Sequence, residues 1–356
     1  MVTISWTERG AVRTARWHSE SAAPAPRRVV TADDRMRADV AYRLVRDGTA
    51  LMWRGGYPGA RQLLSALGRR AGTADTGDFV RVRADRARRA RLLGRLIVAL
   101  DAAHRLDLPR APDVRRACTE AYGPPDRPTA VALTELLGVI GAHEWRKKGV
   151  YVPALGARIH PHYGVFSPVR GEYVDLVARA PLSDAPAVAF DLGTGTGVLA
   201  AVLARRGVPR VVATDRSPRA LACARDNLAR LGLLGRVDVT GPALYPEGRA
   251  GLVVCNPPWL PGRAGTELEH GVYDPDAAML RGFLTGLDAR LDGGGEGWLI
   301  LSDLAVRLGL RAAGELEALA GAAGLGVVDR VDTRPRHRRA REEEIVSLWR
   351  LKKSTT

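Results

Sequence analysis

The sequence predicts an α/β protein in which a doubly wound, parallel sheet follows a separate N-terminal domain. From residue 187 onward, apolar runs of strand length alternate with helical patterns. A glycine-rich turn at residues 193–197 lies between the first of these strands and the first helix. Polar residues, namely Asp191, Asp215 and Asn256, stand at the ends of three predicted strands. Such alternation is typical of a doubly wound sheet that binds ligands at the carboxyl ends of its strands.

The first strand and its turn form the clearest local motif. Residues 187–190 are apolar, as in a buried strand, and residues 198–206 repeat apolar side chains at helical spacing before Gly207. Because glycine has no Cβ, the backbone N–H groups of the turn can approach a ligand, and the helix dipole favours anionic groups there. The motif therefore predicts a loop that binds a nucleotide or nucleoside cofactor.

The rest of the C-terminal region continues the alternation. Further strands are predicted at residues 210–215, 237–240, 251–255, 297–302, 325–332 and 345–351, and helices at residues 217–231, 275–291 and 310–323. The carboxyl ends of parallel strands share one edge of a sheet, so Asp191, Asp215 and Asn256 should converge on one cleft.

Residues 1–144 predict a separate, mainly helical domain, and residues 145–356 predict the domain that holds the sheet. Helices of the first domain are predicted near residues 31–46, 59–70, 76–104, 114–122 and 129–143. The domain is therefore expected to be all-helical. The pattern changes near Trp145, after which residues 150–153 and 157–160 predict a β-hairpin.

The net charge of +15 is concentrated in the N-terminal part of the chain. Residues 1–160 carry 29 Lys and Arg against 16 Asp and Glu, whereas the remaining residues carry 25 against 23. Seven arginines lie between Arg81 and Arg95. This asymmetry favours contact with a polyanion such as RNA or the ribosome. The simplest interpretation of these seven arginines is a solvated helix face. A compositional bias would also account for the charge, since only four of the 54 basic residues are Lys.

The composition predicts a cytoplasmic protein without a membrane segment or a metal site. No apolar run approaches 18 residues, and the first thirty residues lack the apolar core of a signal peptide. Cys118, Cys223 and Cys255 lack the spacing of a disulfide framework or a metal site, which predicts reduced, buried thiols. His160 and His162 have no third ligand at metal spacing and are interpreted as polar residues of the hairpin.

Asn256, Pro257, Pro258 and Trp259 follow the fourth predicted strand and form the candidate catalytic group. The two prolines lack N–H groups and hold their predecessors extended, so their carbonyls point outward. Together with the side-chain oxygen of Asn256 they form a rigid set of acceptors that suits a planar –NH2 group or a ring N–H. Trp259 offers a face on which a flat substrate can stack. The alternative is a tight turn with a structural role alone.

The glycine turn does not by itself distinguish between cofactors. Asp215 ends the second strand, where a carboxylate can accept hydrogen bonds from both ribose hydroxyls, and this also fits an NAD-dependent dehydrogenase. Two features separate the interpretations. The carboxylate of Asp191 enters the turn, which suits a cationic amino group rather than a pyrophosphate. The four residues 256–259 have no role in hydride transfer.

Residues 191–197, Asp215 and residues 256–259 together resemble the class I S-adenosylmethionine-dependent methyltransferases, in the branch with an (Asn/Asp)-Pro-Pro-aromatic motif. That branch includes release-factor glutamine methyltransferases, adenine-N6 DNA methyltransferases and several rRNA guanine and adenine N-methyltransferases. The hairpin and residues 164–168 resemble the segment ahead of the catalytic domain in the glutamine and rRNA small-domain enzymes, where it packs over the cofactor. The resemblance covers residues 150–356 and implies a seven-stranded, Rossmann-like methyltransferase sheet.

The resemblance also implies roles for single residues. The residues that would bind S-adenosylmethionine are Phe166, Asp191, Gly193, Thr194, Gly195, Gly197, Asp215 and Arg216. Asp191 would lie near the amino group of the cofactor, and Asp215 would bind its ribose hydroxyls. Asn256 and the carbonyl of Pro257 would orient the target nitrogen, with Trp259 stacked against it. The reaction would be an in-line displacement that depends on proximity and orientation and needs no metal.

The sequence departs from the branch at two places. Residues 241–244 stand where relatives often have an acidic residue that holds the adenine amino group, so adenine contacts would come from the backbone. Gly251 stands where relatives commonly have Asp ahead of the fourth strand. Neither change touches methyl transfer itself.

The leading hypothesis is a nitrogen methyltransferase that acts on a macromolecule, either rRNA or tRNA or a translation-factor glutamine, and is recruited through the basic N-terminal domain. The alternative is a small-molecule N- or O-methyltransferase of specialised metabolism, with that domain as a lid. A non-catalytic protein that binds the cofactor or RNA is a third possibility, and an NAD-dependent dehydrogenase is a fourth. The sequence leaves the methyl acceptor open.

Overall fold

The computed structural model describes residues 2–72, 78–182, 185–335 and 343–354. The chain divides into two compact units, Met1–Glu144 and Trp145–Thr356. This division falls at the residue where the sequence pattern changes. The part of the chain that the structure describes contains no helix with the length and apolar character needed to cross a membrane.

The N-terminal unit contains a six-stranded mixed sheet, and the prediction of an all-helical domain is therefore wrong. Its strands are β1 (Thr3–Glu8), β2 (Ala11–Trp17), β3 (Val29–Ala32), β4 (Ala50–Trp53), β5 (Leu96–Leu100) and β6 (Thr129–Ala132). Their order in the sheet is β1-β2-β6-β5-β4-β3. The helices are α1 (Ala38–Arg46), α2 (Tyr57–Arg70), α3 (Phe79–Leu93), α4 (Arg115–Tyr122) and α5 (Leu133–Lys148).

The error has a physical cause in β4 and β5. Both are short apolar runs, and every residue of β4 is buried. An apolar run of four or five residues has no visible period, so it cannot be told from a segment of a buried helix. The predicted helix at residues 76–104 ends at Leu93, and residues 96–100 form the buried strand β5 instead. Residues 76 and 77 of that prediction lie outside the described residues.

The C-terminal unit is built on a seven-stranded sheet in the order β11-β10-β9-β12-β15-β17-β16. These strands are β9 (Val188–Leu192), β10 (Arg210–Thr214), β11 (Val237–Thr240), β12 (Ala250–Cys255), β15 (Leu291–Ser302), β16 (Leu325–Thr333) and β17 (Val346–Lys353). Two short pairs lie outside it: the predicted hairpin of β7 (Val150–Val152) and β8 (Ala157–Ile159), and a pair formed by β13 (Leu260–Pro261) and β14 (Tyr273–Asp274).

Helices cover both faces of this sheet, as a doubly wound fold requires. They are α6 (Glu172–Arg179), α7 (Val198–Arg205), α8 (Pro218–Arg230), α9 (Ala278–Arg290), α10 (Leu304–Arg307) and α11 (Glu315–Ala322). Alternate residues of β9 show the two faces. Ala189 belongs to the core that includes α6 and α7, and Phe190 belongs to the core that includes α9 and α11.

One edge of the sheet differs from the predicted parallel arrangement. Strands β11, β10, β9, β12 and β15 are parallel, but β17 runs antiparallel to β15 and to β16. A parallel pair needs a crossover connection, usually a helix. The sequence has no helical apolar pattern between β16 and β17, so the alternation that indicates parallel strands ends at β16.

The three cysteines are buried thiols, and the two histidines of the hairpin have polar partners inside the fold. Cys118, Cys223 and Cys255 are free and buried. His160 Nδ1 lies 2.7 Å from the carbonyl oxygen of Arg146, and His162 Nε2 lies 3.1 Å from Asp226 Oδ2. Among the residues that the structure describes, no group of three or more His, Cys, Asp or Glu side chains is arranged to hold a metal ion.

Candidate active site

Three adjacent strands bring the predicted site residues to the same level of the sheet. Leu192, the last residue of β9, pairs with Thr214 of β10 on one side and with Cys255 of β12 on the other. Asp215 and Asn256 each follow one of these paired residues. Because neighbouring strands lie about 4.8 Å apart, Asp215 and Asn256 flank the glycine turn at a separation of about 10 Å. This is the edge at which the strand order reverses, where doubly wound sheets bind ligands.

The turn between β9 and α7 requires its glycines. Gly193, Gly195 and Gly197 have φ values of 69°, 54° and 80°, in the left-handed region. A Cβ at Gly193 would collide with the Cε methyl of Met279, and one at Gly197 would lie 3.2 Å from Cα of Ala224. The backbone therefore approaches both neighbours closely, and Met279 is a residue beside the turn that the sequence did not reveal.

Asp191 stabilises the turn through hydrogen bonds. Its side chain is almost completely buried, and Oδ2 accepts hydrogen bonds from Thr194 Oγ1 at 2.6 Å and from the backbone N–H of Ala200 at 2.9 Å. Burial raises the pKa of Asp191 to about 6, although these two hydrogen bonds act in the opposite direction. The carboxylate therefore links both ends of the turn, a structural role that the resemblance to methyltransferases did not include.

Asp215 lies on the other side of the turn, directly after β10. Its Oδ2 accepts the backbone N–H of Gly195 at 3.0 Å, and its Oδ1 accepts that of Ser217 at 2.9 Å. Burial also raises the pKa of Asp215, against the effect of these hydrogen bonds. A carboxylate has about four acceptor positions, and these N–H groups together with that of Arg216 occupy only part of them, so the remainder is available to ligand hydroxyls. Arg216, the next residue, is exposed to solvent.

The loop after β11 lies beside Asp215. The backbone N–H of Ala243 donates to the carbonyl of Asp215 at 3.4 Å, and Thr214 Oγ1 donates to the carbonyl of Leu244 at 2.6 Å. Residues 241–244, which stand in the place of an acidic residue in relatives, therefore face this edge of the sheet through their backbone.

The group that follows β12 differs from the expected arrangement in one contact. The indole Nε1–H of Trp259 donates to Oδ1 of Asn256 at 2.9 Å. The guanidinium carbon of Arg170 lies 4.9 Å from the centroid of the Trp259 ring, so one face of the indole is covered. A flat substrate could stack only on the other face. The proposed stacking role of Trp259 stays a prediction.

The carbonyl oxygens of Pro257 and Pro258 are the other two acceptors that the sequence predicts in this group, and their role stays a prediction. Among the described residues, none donates a hydrogen bond to the carbonyl oxygens of Pro257 and Pro258. Pro257 is buried, and Pro258 is partly exposed. Asn256 Oδ1 keeps one lone pair beyond the bond from Trp259. The site therefore retains acceptors for a donor such as a planar amino group.

Phe166 lies against the segment between β13 and β14. It packs on Gly271, since a Cβ at that glycine would lie 2.7 Å from Cβ of Phe166. Gly271 ends a short 3₁₀ helix at Leu268–Gly271, between β13 and β14. Phe166 is 37% exposed. Its contact with the cofactor stays a prediction.

Sequence reasoning missed Arg170, although it is only four residues beyond Phe166. Its charged partners are Glu172 and Glu344, and Glu344 in turn accepts a hydrogen bond from Ser302. Arg170 and Glu172 directly follow the motif at residues 164–168, which is a signal that could have revealed them. The contribution of Glu344 comes from a distant segment, which no local pattern indicates.

The residues at this edge fit the recognition of S-adenosylmethionine in two respects. The three glycines leave the backbone of the turn open, and Asp215 keeps free acceptor positions for ribose hydroxyls. The buried carboxylate of Asp191 and the partly exposed carboxylate of Asp215 lie close enough for the charge of Asp215 to raise the pKa of Asp191. Such a site favours a ligand that carries positive charge.

Comparisons with known proteins agree with this geometry. Residues 156–302 match the family model described as the methyltransferase small domain. The chain is 43% identical over 125 residues to the release factor glutamine methyltransferase of Mycolicibacterium smegmatis, covering 33% of this chain and 44% of that protein. It is 34% identical over 173 residues to the enzyme of the same name from Cereibacter sphaeroides, covering 44% of this chain and 60% of that protein.

A third relative is named ribosomal protein L11 methyltransferase and comes from Pelotomaculum thermopropionicum. It is 49% identical to this chain over 69 residues, which covers 19% of this chain and 22% of that protein. The chain thus spans between about a fifth and three fifths of the length of these relatives. The resemblance that the glycine turn and residues 256–259 indicate is confirmed in that residues 156–302 match the family model of the methyltransferase small domain.

Proposed function

We propose that this chain is an S-adenosylmethionine-dependent methyltransferase that methylates a planar nitrogen, an amide or a nucleobase amine, of a macromolecule such as rRNA, tRNA or a translation-factor glutamine. The observation that carries the proposal is the position of Asn256 and Pro257 at the level of the glycine turn, with acceptor positions left free. A planar amino group satisfies such acceptors, whereas a hydroxyl has only one hydrogen to offer them.

Different residues of the site would bind the cofactor and orient the substrate. S-adenosylmethionine, when bound, supplies a methyl group on a positively charged sulfur, which is an electrophile. The glycine turn and Asp215 would hold this cofactor, and Asp191 would keep the turn in shape through Thr194 and Ala200. Asn256 and the Pro257 carbonyl would accept the hydrogens of the target amino group. This orients the nitrogen lone pair and makes the encounter effectively unimolecular.

A macromolecular acceptor is supported by the relatives and by the N-terminal unit. Relatives of this chain are named release factor glutamine methyltransferase and ribosomal protein L11 methyltransferase. Helix α3 contains six arginines, and none of its residues is buried. Arg81, Arg86 and Arg91 are exposed. We propose that this helix contacts a polyanion, RNA or the ribosome, and so recruits the substrate.

Labelling of a cell lysate tests the proposal. Purified protein and S-adenosylmethionine with a radiolabelled methyl group are added to a lysate from cells that lack the protein. The products are then divided by nuclease and by protease treatment. We expect label in one macromolecular fraction, as N-methylated base or N-methylated glutamine. Label in neither RNA nor protein, or label only in small molecules, would refute the macromolecular acceptor.

A further inference from the structure

A network of buried charges lies behind the candidate active site. Arg170 Nε donates to Glu172 Oε1 at 2.7 Å, and Arg170 Nη2 donates to Glu344 Oε1 at 2.9 Å. Both carboxylates are almost fully buried, with 7% of Glu172 and 1% of Glu344 exposed. Ser302 Oγ donates to the same oxygen of Glu344 at 2.7 Å. The guanidinium thus joins the start of α6 to the segment before β17, and Glu344 in that segment is bonded in turn to the end of β15.

Such a network is an inefficient way to stabilise a fold. Burying charges costs solvation, and well-packed apolar side chains are often as stabilising as a buried ion pair. What the network does provide is a fixed position for the guanidinium plane, because Nε and Nη2 are both held by hydrogen bonds. Burial by itself would lower the pKa of Arg170, but the hydrogen bonds and charges of the two carboxylates outweigh this effect and raise the pKa.

The fixed guanidinium lies on the indole of Trp259, and Trp259 in turn contacts Asn256. The distance from Arg170 Cζ to the ring centroid is 4.9 Å, which is a cation–π contact. The Trp259 indole N–H donates to Asn256 Oδ1 at 2.9 Å. Two successive contacts therefore connect the buried charges to the amide that faces the reaction site.

The contact matters because a side-chain amide has two nearly isosteric ends. Rotating the Asn256 amide by 180° would exchange its oxygen for its –NH2 group, which cannot accept a hydrogen bond from a target amine. A single donor placed against Oδ1 selects one orientation. The second lone pair of that oxygen then stays available for the substrate.

We propose that Trp259 and Arg170 are positioning residues: the indole N–H of Trp259 fixes the orientation of the Asn256 amide, and Arg170 holds the indole in place. This inference rests on the proposed function for its consequence in catalysis, but the coupling itself is a property of the free protein. It assigns Trp259 a role through Asn256 rather than through stacking on the substrate.

A change that removes only the indole N–H tests the first contact. Trp259→Phe keeps an aromatic ring under Arg170 and loses the donor. We expect kcat to fall about tenfold, the effect of one lost hydrogen bond, with the affinity for S-adenosylmethionine unchanged. Arg170→Lys keeps the charge, loses the planar contact and should have a similar effect.

The matched controls are Trp349→Phe and Arg330→Lys. These residues form a second pair in which a guanidinium lies 4.5 Å from an indole centroid, and both variants should leave kcat unchanged.

A double variant distinguishes between the two possible roles of Trp259, which are to position Asn256 or to stack on the substrate. If Trp259 acts through Asn256, the double variant Asn256→Ala/Trp259→Phe should transfer methyl groups at the rate of Asn256→Ala alone. If Trp259 touches the substrate directly, the two losses should multiply, and the inference would be wrong. This comparison requires that the wild-type protein transfers methyl groups, so a complete absence of transfer would refute the proposed function first.

A second measurement does not depend on activity. In the free protein labelled with nitrogen-15 at tryptophan, the Trp259 indole signal is assigned by its loss in Trp259→Phe. We expect its N–H to exchange slowly with solvent, and to exchange at least about tenfold faster in Asn256→Ala, where its acceptor is gone, and in Arg170→Lys. Equal exchange rates in all three proteins would show that no such coupling exists and would overturn the inference.

Discussion

Asp191 lies at the end of β9 with a carboxylate that is buried and yet hydrogen-bonded to both ends of the glycine turn. Its pKa of about 6 in the folded protein exceeds the ordinary value of 3.8. The folded state therefore binds more protons than the unfolded state between about pH 4 and pH 6. The free energy of unfolding should fall as the pH rises through this window, because the carboxylate must then ionise while buried.

Replacing Asp191 with Asn removes this titration while it keeps an oxygen for Thr194 and Ala200. We expect Asp191→Asn and the wild-type protein to have the same free energy of unfolding near pH 4. Near pH 7.5 the value for Asp191→Asn should be higher by about 2–3 kcal/mol, which is the equivalent of a shift of about two pKa units. Denaturant unfolding at several pH values, without cofactor, measures the difference. Asp292→Asn, at an exposed position, is the control. If the free energies of unfolding of Asp191→Asn and wild type differed by the same amount at every pH, the raised pKa of Asp191 would be contradicted.

Asp215 should determine the affinity for the cofactor. Asp215→Ala removes the acceptors for the ribose hydroxyls and also the bond that holds the Gly195 N–H. Hydrogen bonds to a charged group contribute about 1.5–3 kcal/mol, so the dissociation constant for S-adenosylmethionine should rise about 10- to 100-fold. Titration calorimetry measures this constant. Asp238→Ala, at an exposed position of β11, should leave it unchanged. An unaltered constant for Asp215→Ala would remove Asp215 from the site.

At the residue scale, the sequence was informative where a residue's place follows from a strand end. Asp191, Asp215 and Asn256 could be located because each ends or follows an apolar run, and the strand register places them side by side. The environment of Trp259 could not be predicted. It depends on the contact with Arg170 and, through Arg170, on Glu344, which is distant in the chain and which no local pattern indicates.

At the scale of single elements, the glycine turn offers a test of why its residues are glycines. Gly195 and Gly197 both have φ in the left-handed region, but only Gly197 lacks room for a Cβ, which would lie 3.2 Å from Ala224 Cα. Gly195→Ala should cost about 1–2 kcal/mol of unfolding free energy from the left-handed conformation alone. Gly197→Ala should cost more because the Cβ also presses on helix α8. Denaturant unfolding without cofactor measures both, and equal losses would contradict the steric role assigned to Gly197.

Helix α3 provides a test of the polyanion proposal. Changing Arg81, Arg86 and Arg91 to Glu should weaken binding to RNA and reduce the slope of log affinity against log salt by about 3, one for each lost phosphate contact. A control that changes the exposed Arg27, Arg28 and Arg35 to Glu alters the net charge equally. Fluorescence anisotropy with labelled rRNA fragments measures both variants. If both weaken binding by the same amount, net charge and not α3 attracts the RNA.

Elements differed in how well the sequence specified them. Helices α2 and α4 lie close to their predicted positions because their apolar periods are visible. Helix α1 ends at Arg46 as predicted but begins only at Ala38, and residues 31 and 32 of the predicted helix belong to strand β3. Strands β1–β6 were missed because most of them are short and because strands and helices do not alternate regularly in this unit. In the C-terminal unit, every predicted strand is present, since strands there alternate with helices of clear period. The direction of β17 was wrong because a strand pattern carries no information about direction.

At the scale of the whole molecule, the chain combines two units with different charge. The family match lies entirely in the C-terminal unit, within residues 156–302. The excess of basic residues lies largely in the N-terminal part. We therefore expect the C-terminal unit to bind S-adenosylmethionine and the N-terminal unit to select the macromolecule. This division of roles predicts that charge reversal on α3 alters the affinity for the acceptor and leaves the affinity for the cofactor unchanged.

The central claim is that Asn256 holds the nitrogen that receives the methyl group while the glycine turn holds the donor. Two measurements on the wild-type protein and on Asn256→Ala test this directly. One is the rate of methyl transfer from radiolabelled S-adenosylmethionine, and the other is the affinity for the cofactor by titration calorimetry. We predict that Asn256→Ala binds the cofactor as the wild type does and transfers label at least about 100-fold more slowly, as when a group that stabilises a transition state is removed. Undiminished transfer by Asn256→Ala would contradict the claim.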